Sequence, residues 1–302
     1  MKARAAEEAS KTPAAPQVAG EAAAVDWPGR VFRQLTVLPT LLAMGWLLAG
    51  LPLLLIGHFT PLLMGLIAGP AAVVLVFLGY RWITGPAAGL LAARGAAPAR
   101  TPWWVIIAVV AVAVGFGIDQ LAFHSQQIIV QRDPASYIQF GNWISGHGSL
   151  PIPADGAAFG GYSNLIHFQS PAFYQVGHSL VPQFMAGLPM LLAPAFWLGG
   201  IGAATAMGAL LGACAIVVAA GLTGRLVGPR WAPLGALILA LTLPQQFTSR
   251  STYSEPLAEL LFLGGLSLIV DSFSHNSAVR SKLAALGGLA VGLTILARID
   301  GL

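Results

Sequence analysis

Seven stretches of this chain, 37–57, 61–80, 103–118, 201–223, 232–247, 256–270 and 283–299, are almost purely apolar. Each approaches or reaches the roughly 20 residues that a helix needs to cross a bilayer. In hydrocarbon the backbone must satisfy its own N–H and C=O groups, so stretches of this kind fold as helices. Composition agrees: 56% of residues are hydrophobic and 9% are charged, whereas a soluble domain carries about 25% charged residues. The fold class that follows is an all-α integral membrane protein, a multi-pass helical bundle. The single cysteine, Cys214, excludes an internal disulfide. Residues 1–34 read as a disordered cytoplasmic tail rich in Ala, Glu and Pro. A cleavable signal peptide is not expected there, because the first apolar run starts late and is long enough to span. Residues 35–302 form the transmembrane domain.

Charge fixes the expected sidedness. Lys2, Arg4, Lys11, Arg30 and Arg33 place the N-terminus in the cytoplasm, and Arg81, Arg94 and Arg100 then fall inside too. The long segment 119–180 becomes an outside loop. The apolar stretch 181–199 is interrupted by Pro182, Pro189 and Pro194. If it crossed, Arg225, Arg230, Arg280 and Lys282 would all lie outside, against the positive-inside tendency. The expectation is therefore about seven spans plus one re-entrant or interfacial segment, with 12 of the 15 basic residues cytoplasmic. The three exceptions, Arg132, Arg250 and Arg298, each have a carboxylate nearby in sequence: Asp133, Glu255 and Asp300. Charges at the outer ends of spans are costly unless paired or used, so three such pairs on one side point to one site. Small residues four apart, Gly65/Gly69, Gly208/Gly212 and Gly288/Gly292, would allow close helix packing.

Four constellations carry the polar chemistry. Gln131-Arg132-Asp133-Pro134-Ala135-Ser136-Tyr137 opens the outside loop, and Tyr137, Phe140, Gly141 and Ile144 continue at helical spacing. A short helix along the membrane surface is expected there, with Asp133 as its N-cap, as a group facing a pocket, or as both. Thr248-Ser249-Arg250-Ser251-Thr252-Tyr253-Ser254-Glu255-Pro256 joins two spans, and Ser254 or Glu255 is placed to cap the helix that Pro256 opens. Ala297-Arg298-Ile299-Asp300-Gly301 is either a site element or an interfacial anchor. The rest of the loop holds Trp143, Phe159, Tyr162, His167, Phe168, Phe173 and Tyr174, aromatic surfaces that stack on sugars or hold a loop against the membrane. His124, His147, His167 and His178 match no compact metal motif.

The Arg132-Asp133-Pro134…Tyr137 opening resembles the GT-C superfamily of polyprenyl-phosphate-sugar-dependent glycosyltransferases, in the branch of protein O-mannosyltransferases and aminoarabinose transferases. His167-Phe168-Gln169-Ser170-Pro171-Ala172-Phe173-Tyr174 resembles the family's Lys-Pro-Pro-x-Tyr region, without its lysine. Ser249-Arg250-Ser251-Thr252-Tyr253-Ser254-Glu255 resembles its Ser-Arg…Asp stretch, and Leu296-Ala297-Arg298 its Leu-Thr-Lys ending. The resemblance implies a GT-C-like fold and an inverting sugar transfer on the non-cytoplasmic face of the cell membrane. Asp133 would be the general base on an acceptor hydroxyl, with Glu255 orienting the acceptor or the basic residues. Arg132, Arg250 and Arg298 would hold the lipid phosphate, and Tyr137, His167, Tyr174 and Asp300 would complete substrate binding. The implied partners are a polyprenyl-phosphate-linked sugar donor, membrane lipid, and a glycan, lipid or protein acceptor, with no nucleic acid. No cofactor is assigned, and room is left for a divalent cation. Family members usually continue through further spans, so the resemblance also implies a truncated relative or a fragment, inactive if the missing part is needed.

Two other classes compete. A transporter or flippase for a lipid-linked or sugar substrate would place charged or broken-helix sites near the midplane with repeat symmetry, and the spans here are almost free of charge. A non-catalytic membrane scaffold is the third. The arrangement has a direct check: a cysteine placed at Val227 stays unlabelled by an impermeant thiol reagent in intact cells, and labelling there would overturn the assigned sidedness.

Overall fold

Asp26 sets the start of the first helix. Its carboxylate accepts from the Gly29 amide and from the Thr101 amide, both at 3.2 Å, and Pro28 sits in the first turn. Helix α1 therefore covers Trp27–Leu55, and residues 27–34, expected in the tail, are helical instead. The computed structural model describes residues 26–84, 100–129, 133–161 and 166–298. Tail residues 1–25, Arg132, Tyr162 and Asp300 lie outside the described residues.

After a tight turn come α2 (Pro61–Leu63), a π turn (Met64–Ala68) and α3 (Gly69–Ile83), then α4 (Trp103–Ala122) and α5 (Asp133–His147). Between α5 and α6, in a chain expected to be all-α, lie β1 (Ile152–Pro153), β2 (Phe173–Val176) and β3 (Ser179–Pro182) in the order β1-β3-β2, all antiparallel. The β2–β3 hairpin turns at Gly177, whose φ of 60° suits glycine. There follow α6 (Gly187–Val227), α7 (Ala232–Leu241), α8 (Leu243–Ser249), α9 (Glu255–Ser272) and α10 (Ser277–Gly292), which ends in a 3-10 turn, Leu293–Leu296.

The long helices alternate in direction, so polar contacts gather at two ends of the bundle. One end holds Asp26 with Thr101, Arg225 with Asp271, and Lys282 over the Trp82 ring at 5.7 Å. The other holds Arg298 with Glu255, Arg250 with Asp119, and the Phe59 amide on the Gly148 carbonyl at 3.0 Å. Of the ten lysines and arginines among the described residues, all but Arg250 and Arg298 lie at the first end.

Among the described residues, five helices are long and apolar enough to cross a membrane: Trp27–Leu55, Pro61–Ile83, Trp103–Ala122, Gly187–Val227 and Ser277–Leu296. Their outward faces are apolar, with Val73, Phe77, Ile107 and Leu226 at least 60% exposed. Thr36, Thr40, Gln245 and Ser267 are buried. A surface this apolar around a partly polar interior belongs in lipid. The expected span 232–247 is broken: Thr242 is extended (φ −70°, ψ 136°) and separates α7 from α8, which Pro244 helps to open within its first turn. Helix α9 differs from the five in carrying three carboxylates, Glu255, Glu259 and Asp271.

The stretch 181–199 also divides differently from its prolines. Pro182 ends β3, Pro189 lies in the first turn of α6, and Pro194 lies inside the helix. The interruption comes at Gly199 and Gly200, where Gly200 takes φ 62°, ψ −151°, a conformation essentially reserved for glycine. The segment before it, 187–198, is about 18 Å long at 1.5 Å per residue, short of the roughly 30 Å hydrocarbon layer. It packs on α5, with Gly141 against Leu192 and Phe196, and on α1, where Trp46 Nε1 donates to the Met190 carbonyl at 2.8 Å.

Close helix contacts use mostly glycines outside the expected pairs. Gly45 meets Ala72, Gly264 meets Thr40, and Gly265 meets Gly287. Gly65, Gly69, Gly288 and Gly292 face open space. Spacing fixes that two glycines share a face; the rotation of the helix decides what that face meets.

One buried ion pair binds three helices at the basic end. Arg225 of α6 donates to Asp271 Oδ2 of α9 through Nε (3.0 Å) and Nη2 (2.9 Å), and through Nη1 to Thr36 Oγ1 of α1 (2.9 Å). Its remaining donors meet the carbonyls of Gly221 and Arg33. The two charged side chains are 4% and 6% exposed. Removing one partner strands a buried charge, so Asp271→Leu should destabilise by about 3 kcal/mol or more in denaturant unfolding. Arg225→Met in the same chain should recover most of the loss.

Candidate functional site

The short loop between α8 and α9 is fastened across the start of α5. Thr252 Oγ1 donates to the Pro134 carbonyl at 2.8 Å, and the Tyr137 hydroxyl donates to Ser254 Oγ at 3.0 Å. Ser254 occupies the N-cap position of α9, yet its side chain makes no capping bond there. Space for the loop comes from the Gly208/Gly212 pair of α6: a Cβ on Gly208 would run into the Ser251 carbonyl, and one on Gly212 into Ser249. This pair fulfils its expectation of close packing, Gly212 against the last residue of α8 and Gly208 against the loop that follows.

The fastening sets the first residues of α5 and α9, Asp133 and Glu255, in one region. Carboxylates are favoured at both positions, because helix N-termini carry partial positive charge. Arg298, just past the turn that ends α10, forms an ion pair with Glu255, each side chain about one-third exposed (30% and 32%). Glu255 Oε2 is buried without a hydrogen-bond partner. Asp133, Tyr137, Phe184, Met185 and Arg298 line one pocket of about 270 Å³. The Phe184 ring lies 4.9 Å from that of Tyr137.

Burial pushes the Tyr137 hydroxyl from its ordinary 10.0 up to about 12. Glu255 and Asp133 add to the rise, while the Ser254 bond and Arg298 oppose it. At neutral pH the group is a fixed neutral donor.

A second cleft, of about 500 Å³, adjoins the pocket and shares Phe184 and Met185 with it. Its other walls include Leu51, Leu55, Phe140 and Val181. A charged pocket thus lies beside an apolar one at the end of the bundle.

Of the expected ion pairs, Arg250 with Glu255 does not form, while Arg132 with Asp133 and Arg298 with Asp300 each involve a residue outside those described. Glu255 takes Arg298 instead of Arg250, because both lie beside the α5 N-terminus once α9 and α10 pack together. Arg250 instead bonds Gln120 Oε1 through Nε (3.0 Å) and Asp119 Oδ2 through Nη2 (3.3 Å), and lies 5.4 Å from the Phe123 ring. Asp119 and Arg250 are 49% and 38% exposed. Asp133, Glu255, Tyr137 and Arg298 come together; Arg250 sits in this separate cluster. His167 and Tyr174 are exposed, and Tyr174 faces Val181 across the β2–β3 ladder. Neither lines the Asp133 pocket. The four residues Tyr137, Phe140, Gly141 and Ile144 form the buried face of α5 as their spacing predicts.

Three residues escaped the sequence reading. Glu259 lies one turn below Glu255 inside α9, and the Gln245 amide, turned to face it, donates at 2.6 Å. The signal was present: a carboxylate in the interior of an apolar helix marks function by default. Phe184 and Met185 gave no signal, since apolar residues in an apolar stretch look alike. Among the described residues no group of three or more His, Cys, Asp or Glu is placed to hold a metal. No protein-family model, curated protein or solved structure matches this chain significantly.

The raised value fixes how Tyr137 responds to alkali. Its contribution to stability is fully present below pH 10 and is lost as pH rises through about 12. In a 295 nm titration, subtracting Tyr137→Phe from wild type should give a step near pH 12, and a step near 10 would mean that the hydroxyl is solvated.

Proposed function

We propose that the chain is a membrane glycosyltransferase that moves a sugar from a polyprenyl-phosphate donor to an acceptor hydroxyl on the non-cytoplasmic face, with inversion. The observation that carries this reading is that the Asp133–Arg298 pocket and the apolar cleft lie side by side, with Phe184 and Met185 in the walls of both. A lipid-phosphate sugar has the same two parts, an anionic head and a hydrocarbon tail. In this reading the seven apolar segments cross the bilayer, 187–198 stays in the outer interface, and the basic end is cytoplasmic, as the arginine distribution favours. The fold is then GT-C-like.

The chemistry follows from charge placement. Asp133 takes the proton from the acceptor hydroxyl as its oxygen attacks the anomeric carbon. The bond from that carbon to the phosphate oxygen breaks, and its electron pair leaves with the lipid phosphate. Arg298 neutralises the growing charge, and Glu255 holds the guanidinium in place. The neutral Tyr137 hydroxyl keeps the α8–α9 loop on α5 and so holds Glu255 near Asp133. Arg298 supplies the positive charge for the phosphate, and no cofactor is assigned.

Glu259 favours a second reading, transport or flipping of a lipid-linked or sugar substrate, because carboxylates within membrane helices often serve ion and substrate paths. One substitution in a transfer assay separates the two. Asp133→Asn should lower sugar transfer from a polyprenyl-phosphate donor by about two to four orders of magnitude, with folded protein unchanged. Near-normal transfer by Asp133→Asn would remove Asp133 as the base. A flipping signal that needs Glu259, in protein without transfer, would favour transport.

A further inference from the structure

Helix α7 is too short to cross a bilayer. Its ten residues, Ala232–Leu241, are about 15 Å long, half of the roughly 30 Å hydrocarbon layer. Between α6 and α7 lies an outward-facing groove of about 650 Å³. Val227 and Trp231 form its mouth at the basic end of the bundle, and Thr242, where α7 stops, lies at its far end. Leu234, Ile238 and Leu263 line the walls between. Thr223 and Gly235 close the floor, where a Cβ on Gly235 would run into Thr223 Oγ1. The Asp133 pocket lies at the opposite end and shares no residue with this groove.

Below the mouth, the groove offers a ligand no unmet polar side chain. Both of its hydroxyls are bonded locally, Thr223 Oγ1 to the Ala219 carbonyl at 2.9 Å and Thr242 Oγ1 to the Leu239 carbonyl at 2.8 Å. Apart from these and Trp231, its residues are apolar. Such walls suit hydrocarbon. Depth selects among hydrocarbon occupants: a transmembrane helix needs the full layer, whereas about 15 Å matches an acyl chain of one leaflet.

The mouth is cationic. Arg230 immediately precedes Trp231 in the turn Pro229–Trp231 and is exposed. Among the described residues, eight lysines and arginines lie at this end, against two carboxylates, Asp26 and Asp271. Both carboxylates are engaged, Asp26 by two backbone amides and Asp271 by Arg225. None of the other seven basic side chains has a carboxylate partner among the described residues. An anionic headgroup would supply the missing negative charge. A zwitterionic one brings its own amine to an end that is already positive. Exposed Trp27, Trp103, Trp104 and Trp231 share this end, and indoles of this kind settle at the depth of the headgroups.

We infer that the α6–α7 groove holds one acyl chain of an anionic phospholipid from the leaflet at the basic end, with the phosphate on Arg230. The site goes beyond the transfer reading and does not depend on it, since its test is binding alone.

The test uses the full chain in micelles of a neutral detergent. Phosphatidylglycerol and phosphatidylcholine, each with dibrominated acyl chains, are titrated in. Bromine quenches an indole on near contact, so the quenching that Trp231→Phe removes reports the groove. Phosphatidylglycerol should half-quench Trp231 at about a 3- to 10-fold lower concentration than phosphatidylcholine, the worth of one basic residue at an anionic surface. Arg230→Gln should bring the two lipids together while its melting temperature holds, because the residue is exposed. Arg280→Gln, at the same end on α10, which does not line the groove, should keep the preference. Glycerophosphoglycerol, the headgroup without chains, should not compete. Equal quenching by the two lipids overturns the proposal. So does a preference that survives Arg230→Gln, or one that Arg280→Gln abolishes equally, since the charge would then act as a diffuse field. Competition by glycerophosphoglycerol at the lipid's own concentration overturns it too, by pointing to a free phosphate ester. Failure here leaves the Asp133 assay untouched, and failure there leaves this one untouched.

Discussion

Lipid takes away the force that assembles most folds. Apolar side chains gain little by leaving hydrocarbon for a protein interior, so helices associate through close van der Waals fit and a few internal polar bonds. The bundle is built that way. Gly265 lies against Gly287 and Gly45 against Ala72, bringing backbones together, while Thr40 Oγ1 of α1 donates to the Leu260 carbonyl of α9 at 2.9 Å. The Arg225–Asp271 pair joins α1, α6 and α9 at one end. It holds these helices in one register, because a slip by a turn would leave a buried charge alone.

At the opposite end the same economy of polar bonds shapes the site. Two hydroxyl contacts, Thr252 to Pro134 and Tyr137 to Ser254, bind a loop to a helix that lies 118 and 117 residues away in sequence. The Arg298–Glu255 pair then ties the end of α10 to the start of α9. Each of these contacts has one partner at a helix terminus, where backbone groups are unsatisfied and charge is stabilised. The pocket is therefore a consequence of where helices end, and its apolar neighbour is a consequence of β3 and the short first segment of α6 meeting α1.

The cavity beside the small sheet, about 760 Å³, and the Asp133 pocket share α5 as a wall. Buried Phe140, Gly141 and Ile144 anchor that helix on its neighbours, while Asp133 and Tyr137 line one space and Gln139, Asn142 and Trp143 the other. Gly200 matters for the same reason. Only because the chain bends there can the first segment of α6 lie beside α5 while the second enters the bundle.

Periodicity and charge in the sequence determined the helical membrane class, the buried face of α5, and the gathering of basic residues at one end. These are local or additive properties, readable wherever a run of apolar residues meets a short charged connection. Asp133, Tyr137, Glu255 and Arg298 were legible as candidates because charges and capping residues stand out against an apolar background. Only the tertiary structure decided which carboxylate met which arginine. Glu255 took Arg298 and Arg250 took Asp119, because partners are chosen by helix adjacency and rotation, which nearest neighbours in sequence do not encode. It also decided that Phe184 and Met185 wall two pockets and that Gly199–Gly200, not the prolines, break α6. An apolar side chain carries no mark of the surface it will meet, and a glycine pair bends a helix only where packing on both sides rewards the bend.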